Sequence, residues 1–289
     1  MAALSAASTP PPLTLPASPA AATLSTAPTT PPATPLAKGT SPAAKPTTAP
    51  AKGPLPPPSA SRSPASTAPV IVIDPGHSPA ITGQDPISGL IDSDYENEPE
   101  MNDVFAVALL VRAQLQAKGY RVVMTKNSAT DRMTLAARAA VANNAHAALA
   151  ISIHDQAGSS GGIPFNQGNN TVYYQTVGDY RVTPTGKWVT FTNATVAATS
   201  RRYGQIFQAE RAAAQGTSIG LQGDVGYDLG SRGLAAGNMW MVQLLSKVPW
   251  IYNEAGGNSA GRSGLNATDE QKYANGLVAS IVRCVPITS

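Results

Sequence analysis

Between Val70 and Val282 short apolar runs alternate with stretches of helical periodicity, and this alternation narrows the architecture more than any other feature of the chain. The first run, VIVI from Val70, ends at Asp74-Pro75-Gly76-His77 and has the pattern of a strand buried on both faces. From Glu100 to Lys118 the residues Val104, Val107, Ala108, Val111 and Leu115 recur at helical spacing, and Gly119 stops the helix before a strand YRVVMT. A second helix is expected over Met133 to Asn144, and a third strand over Ala147 to Ile153, ending at His154. Further on, Thr199 to Gln215 reads as a helix, Asn238 to Val242 and Pro249 to Glu254 as strands, and Asp269 to Val282 as the closing helix. Strands alternating with helices imply an α/β fold, a mostly parallel twisted sheet with helices on both faces. Residues 157–198 interrupt the alternation with Gly, Asn and Thr and two alternating runs, TVYYQT and KWVTFT, and are read as one inserted β-hairpin region.

The stretch 1–68 lies outside this pattern. It holds 17 of the 26 prolines and no aromatic, acidic or histidine residue. With so little apolar surface to offset chain entropy it is expected to be a disordered tail, leaving 69–289 as one domain. Its only charges are Lys38, Lys45, Lys52 and Arg62, so the rest of the chain carries 16 basic against 17 acidic groups and the whole-chain charge of +3 becomes −1. A nucleic-acid partner thereby loses its main support. No apolar run reaches the roughly 18 residues of a membrane span, and no signal peptide is visible. Cys284 is the only cysteine, which excludes an intrachain disulfide and a cysteine-rich zinc site; it reads as a buried thiol on the last helix.

Candidate chemistry gathers at strand ends. His77 and His154 follow two apolar strands, Glu254 ends a third, and in open α/β sheets ligands bind in the crevice outside the carboxyl ends of the strands. A fourth group is offered by Asp92, Asp94, Glu96, Glu98 and Glu100 ahead of the first helix, where a carboxylate favours the positive helix end. Two imidazoles and one carboxylate with an open fourth position are the donor set of a catalytic zinc site. Spacing alone leaves open whether the histidines are ligands or hydrogen-bonded strand ends, and it does not choose among the five acids. The remaining histidine, His146, reads as a surface residue.

The segments VIVIDPGH, LAARAAVANNAHAALAISIH and PWIYNEAGG resemble the zinc-dependent N-acetylmuramoyl-L-alanine amidases of the Amidase_3 family, across essentially residues 69–289. The resemblance implies hydrolysis of the amide between N-acetylmuramic acid and L-alanine in peptidoglycan or muropeptides. It implies a Zn2+ ion held by His77, Glu100 and His154, and Glu254 as the catalytic base. It further implies action outside the cytoplasmic membrane, where that substrate lies; the chain is expected to be a monomer. Arg138 matches an arginine common in the family's second helix, with a surface salt bridge and a structural role evenly balanced. Arg232, in GSRGLAAG, is a candidate for a substrate carboxylate or an exposed loop cation, and Asn258 stands where the family carries an asparagine after the catalytic glutamate. The chain departs from the family at Ser78-Pro79, where a glycine is usual, at Lys126, where an arginine is usual, and at Gly257, where a phenylalanine is usual. Three other readings compete: a zinc peptidase acting on stem peptides, a non-catalytic peptidoglycan-binding or activator protein, and a glycosidase with paired carboxylates. The last has no need of two strand-end histidines.

Overall fold

The structure is a computed structural model, and it describes residues 68–155, 170–223, 236–256 and 264–288, all within the unit Ser61–Ser289. The expected disordered tail through residue 67, the segment 157–169 of the expected insertion, and Arg232, Gly257 and Asn258 lie outside the described residues.

The run VIVI forms β1 (Val70–Pro75), buried along its whole length. Two short strands follow, β2 (Ile81–Gln84) and β3 (Ile91–Asp94), and then α1 (Glu98–Ala117), β4 (Arg121–Met124), α2 (Leu135–Asn144) and β5 (Leu149–His154). The chain continues through β6 (Thr171–Tyr173), β7 (Tyr180–Val182), β8 (Trp188–Thr190), α3 (Ala194–Gln215), β9 (Gly220–Gln222), α4 (Met241–Leu245), β10 (Trp250–Glu254) and α5 (Ala267–Cys284). Six strands make one sheet in the order β4-β1-β5-β10-β6-β9. The strands β4, β1, β5 and β10 run parallel, while β6 pairs antiparallel with β10 and parallel with β9.

Period-two alternation distributes each central strand between two cores. Ile71, Ile73, Ile151 and Ile251 pack on one face with Val104, Val107 and Val111 of α1, Phe207 of α3 and Leu277 and Ile281 of α5. On the other face, Val72, Ala150, Trp250 and Tyr252 meet Ala139 and Ala142 of α2 and Val242 of α4. Each fully buried aliphatic side chain contributes about 1.5–3 kcal/mol, which holds the central strands in register.

Local signals set the helix ends. Pro99 and the acids Glu98 and Glu100 occupy the first turn of α1, and Gly119 follows its last turn at φ 91°. Thr134 caps α2 by accepting from Ala137 N–H, and Asn266 caps α5 by accepting from Thr268 and Asp269.

The middle of the chain differs from the sequence reading in three ways. TVYYQT is not half of an inserted hairpin: its first three residues are β6, a strand of the main sheet. The hairpin there is β7 with β8, and α3 begins at Ala194, inside the range assigned to the insertion. The segment Asn238–Val242 is not a strand, because Met241-Val242-Gln243-Leu244-Leu245 forms α4, as a run rich in good helix formers does.

Candidate active site

The chain leaves β1 to build β4 on one side and returns to place β5 on the other, so the sheet order changes direction between β1 and β5. Ligand crevices form at such points, and His77 and His154 lie there. Gly76 brings the two together. Its N–H donates to Ile153 O at 2.9 Å, and a Cβ on it would lie 2.5 Å from His154 Nδ1 and 2.6 Å from Nε2. Only glycine lets the loop pass this close to the ring.

His77 has φ 52°, a left-handed backbone costing about 1 kcal/mol or more in a residue with a Cβ. Two buried cations hold it there: Lys126 Nζ donates to His77 O at 2.6 Å and Gly76 O at 2.9 Å, and Arg138 Nη2 donates to the same His77 carbonyl at 2.6 Å. Ser78 also has a defined place, its Oγ accepting from Arg138 Nη2 at 2.7 Å and from Met133 N at 3.2 Å. Two departures from the family pattern, Lys126 and Ser78, are thus built into the support of this loop.

Glu100 sits between the imidazoles. His77 Nε2 lies 3.0 Å from its Oε2 and His154 Nδ1 lies 2.9 Å from its Oε1, with all three residues buried. Of the five acids, only Glu100 touches both rings. Asn97 Nδ2 donates to Glu100 Oε2 at 2.8 Å and Asp155 N–H donates to Oε1 at 3.2 Å. Burial opposes ionisation of Glu100, yet His77 and His154 beside it hold its carboxyl down at about 2. Burial likewise opposes a charged His77, and Glu100 and Asp94 override it and raise the imidazole to about 10. For His154, burial comes first and the neighbouring His77 charge adds to it, so this ring is pushed below the usual histidine value.

The other acids divide by role. Asp94 accepts from His77 Nδ1 at 3.1 Å and pairs with Arg138 Nη2 at 3.2 Å. Asp92 accepts from Leu135 and Ala136 N–H and so caps α2, while Glu96 and Glu98 carry no such contact to the rings. Arg138 is 1 % exposed, not a surface residue, and also pairs with Asp74 at 3.0 Å; Asp74 in turn accepts from Ser152 Oγ and Thr125 Oγ1. His146 is exposed in the turn after α2, as its position implies.

Three donors from three elements therefore converge, their ligand atoms all within 4.8 Å of one another. A tetrahedral ion with bonds of about 2.0–2.2 Å needs donors roughly 3–3.5 Å apart, so the trio fits a divalent cation with small adjustments. The Asp94 contact on the far nitrogen of His77 is the orienting partner that ligating histidines commonly have. Glu254, half-buried at the end of β10, stands opposite His154 in the parallel register. The His154 ring is stacked on Tyr252 at 4.5 Å, and Tyr252 on Trp240 at 4.6 Å. Asp94 was open to sequence reasoning as one of the five acids; nothing in the sequence marked Tyr252 or Trp240.

This fold is shared with solved amidases. The N-acetylmuramyl-L-alanine amidase Ami1 from Mycobacterium abscessus is similar at 19% identity and a TM-score of 0.53, over 75% of this chain and 98% of that one. Ami1 from Mycobacterium smegmatis is similar at 20% and 0.53, over 76% and 98%. The catalytic domain of CwlV, an N-acetylmuramoyl-L-alanine amidase from Bacillus (Paenibacillus) polymyxa var. colistinus, is similar at 20% and 0.50, over 76% and 99%. No curated protein matches the chain in sequence. The family model Amidase_3, N-acetylmuramoyl-L-alanine amidase, matches residues 71–283, and the chain belongs to that family.

Proposed function

We propose that the chain is a zinc-dependent N-acetylmuramoyl-L-alanine amidase that hydrolyses the amide between N-acetylmuramic acid and L-alanine in peptidoglycan or muropeptides. The observation that carries the reading is Glu100 held between His77 and His154 at 3.0 and 2.9 Å in a chain of this family. His77, Glu100 and His154 would hold the ion. Zinc, when bound, supplies Lewis acidity toward the scissile carbonyl and the attacking water. Asp94 and Arg138 keep the His77 ring turned toward Glu100, and Gly76 lets the loop close on His154. Glu254 takes the proton of the attacking water and passes it to the departing L-alanine amine, a general acid-base role that needs no covalent intermediate.

Among the described residues no helix is long and apolar enough to cross a membrane. The substrate lies outside the cytoplasmic membrane, and the site of action follows the substrate.

Purified protein incubated with muropeptides, with and without a chelator, tests this directly. We expect products carrying a free L-alanine amine, about one zinc per chain by elemental analysis, and loss of both metal and turnover in His154→Ala. Cleavage between stem-peptide residues instead would establish a zinc peptidase. Wild-type protein that neither binds zinc nor cleaves any muropeptide would overturn the proposal.

A further inference from the structure

Arg211 lies near the C-terminal end of α3, is fully buried, and forms no salt bridge with a carboxylate among the described residues. Taking a guanidinium out of water costs several kcal/mol unless its surroundings repay it, and a leucine or methionine would fill the same volume without that cost. The compensation here is aimed at one place. Nη2 donates to Glu254 O at 2.8 Å and to Asn170 Oδ1 at 2.9 Å; Nη1 donates to Asn253 Oδ1 and to Thr171 O, each at 3.3 Å. Four acceptors at the carboxyl end of β10 and the start of β6 are thus gathered by one planar fork, a geometry that lysine cannot reproduce. The fork lies over the ring of Tyr273 at 4.6 Å, and Tyr273 Oη donates to His154 O at 3.3 Å and Asn253 O at 3.2 Å.

Helix packing makes the reach possible. At Gly276 of α5 a Cβ would stand 3.0 Å from Arg211 Cα, so the absence of a side chain there lets α3 approach α5. Burial lowers the guanidinium's pKa from the usual arginine range, while Tyr273 and the Glu254 carboxylate beside it act in the opposite direction.

We propose that Arg211 is a positioning residue for Glu254: its guanidinium locks the backbone from which the catalytic carboxylate projects and sets that carboxylate against the metal-ligand cluster. The proposal rests on the role given to Glu254 above. None of the hydrogen bonds of Arg211 goes to a side chain of the metal-ligand cluster; they converge on the residues around Glu254, so its effect belongs in the rate of the chemical step and not in substrate binding.

The test is a double-mutant cycle on a soluble muropeptide, using Arg211→Met, Arg211→Lys and Glu254→Gln alone and combined, with kcat, KM, zinc content and Tm read for each. Misplacing a reacting group by about 1 Å costs on the order of a hundredfold, so we expect kcat of Arg211→Met to fall roughly tenfold to a hundredfold with KM within about twofold. Zinc should stay stoichiometric and Arg211→Lys should recover part of the loss. In the Glu254→Gln background Arg211→Met should change the residual rate by less than about twofold, because the two residues form one unit. The same fold-loss in both backgrounds, or loss of Tm with kcat unchanged, overturns the proposal. If Arg211→Met does not fold, Arg211→Lys carries the same cycle. Wild-type activity retained in Glu254→Gln removes the assignments of Glu254 and Arg211 together, whereas a wild type without turnover overturns the functional reading itself.

Discussion

Glu254 stands directly across from His154 in the parallel pairing of β10 with β5, and Ala255 N–H donates to His154 O at 2.9 Å, so the proposed base and one proposed ligand share a single rung of the sheet. Distances between side chains on adjacent strands are set by the backbone ladder, not by loop conformation, which fits a proton acceptor that must keep station beside an ion.

Glu254→Gln keeps the side chain's size and removes its capacity to take a proton. We expect turnover lowered by about a hundredfold or more, zinc content unchanged and Tm unchanged. Elemental analysis beside steady-state kinetics separates the roles: falling metal content would make Glu254 a ligand, and near wild-type kcat would remove it from the mechanism.

Gly76→Ala forces a methyl group into the His154 ring. The neighbour is the imidazole of a residue fixed on both sides, by Tyr252 and by Glu100, so the ring cannot simply swing aside. We expect zinc affinity, measured by competition with a chromogenic chelator, to fall at least tenfold, in the range of about 10–100-fold typical when the groups that orient a ligand are disturbed. Wild-type affinity would mean that the loop has room to shift.

Arg138→Met leaves Asp74 and Asp94 buried without their shared cation. Breaking a buried ion pair on one side typically costs about 3–5 kcal/mol, and urea unfolding of the metal-free variant should show a loss of that order. A midpoint within error of wild type would show that the buried Arg138 pairs contribute nothing net to stability.

Cys284 is buried, its Sγ 4.0 Å from Tyr203 O, and burial pushes the thiol up to about 12. The folded thiol holds its proton to a higher pH than the unfolded one, whose ordinary value is about 9. Its contribution to stability is complete below pH 9 and declines as pH rises from 9 toward 12. A thiol reagent at pH 8 should label the native chain far more slowly than the urea-unfolded chain; equal rates would contradict the burial.

How much of this was legible in the sequence follows from where the physical signal lies. The strands β1, β5 and β10 are buried on both faces and so read as mostly apolar runs, and each leads to a polar residue at its carboxyl end. The strands β6 and β9 have three residues each, and their places in the sheet come from pairing with residues distant in sequence; no local pattern encodes that. The β2–β3 hairpin, ITGQ against IDSD, is too polar to announce itself. Spacing brought His77, His154 and Glu254 to one edge, but choosing Glu100 from its four acidic neighbours took family resemblance, because the difference is which carboxylate α1 turns toward the rings. Arg211 was invisible, since in ATVAATSRRYGQIFQAERAAAQ it is one cation among three on a helix of polar and small residues.

The donors His77, Glu100 and His154 come from a loop, a helix start and a strand end, and no two of them are neighbours in the chain. Order of assembly follows from this. A growing or threading polypeptide carries no such trio until β1 and β5 have paired and α1 has docked across them, so capture of the proposed ion would be a late event that ratifies the fold and does not nucleate it. On the proposed function, the ion would then be decided by the metals present where folding finishes, not by those present where synthesis begins.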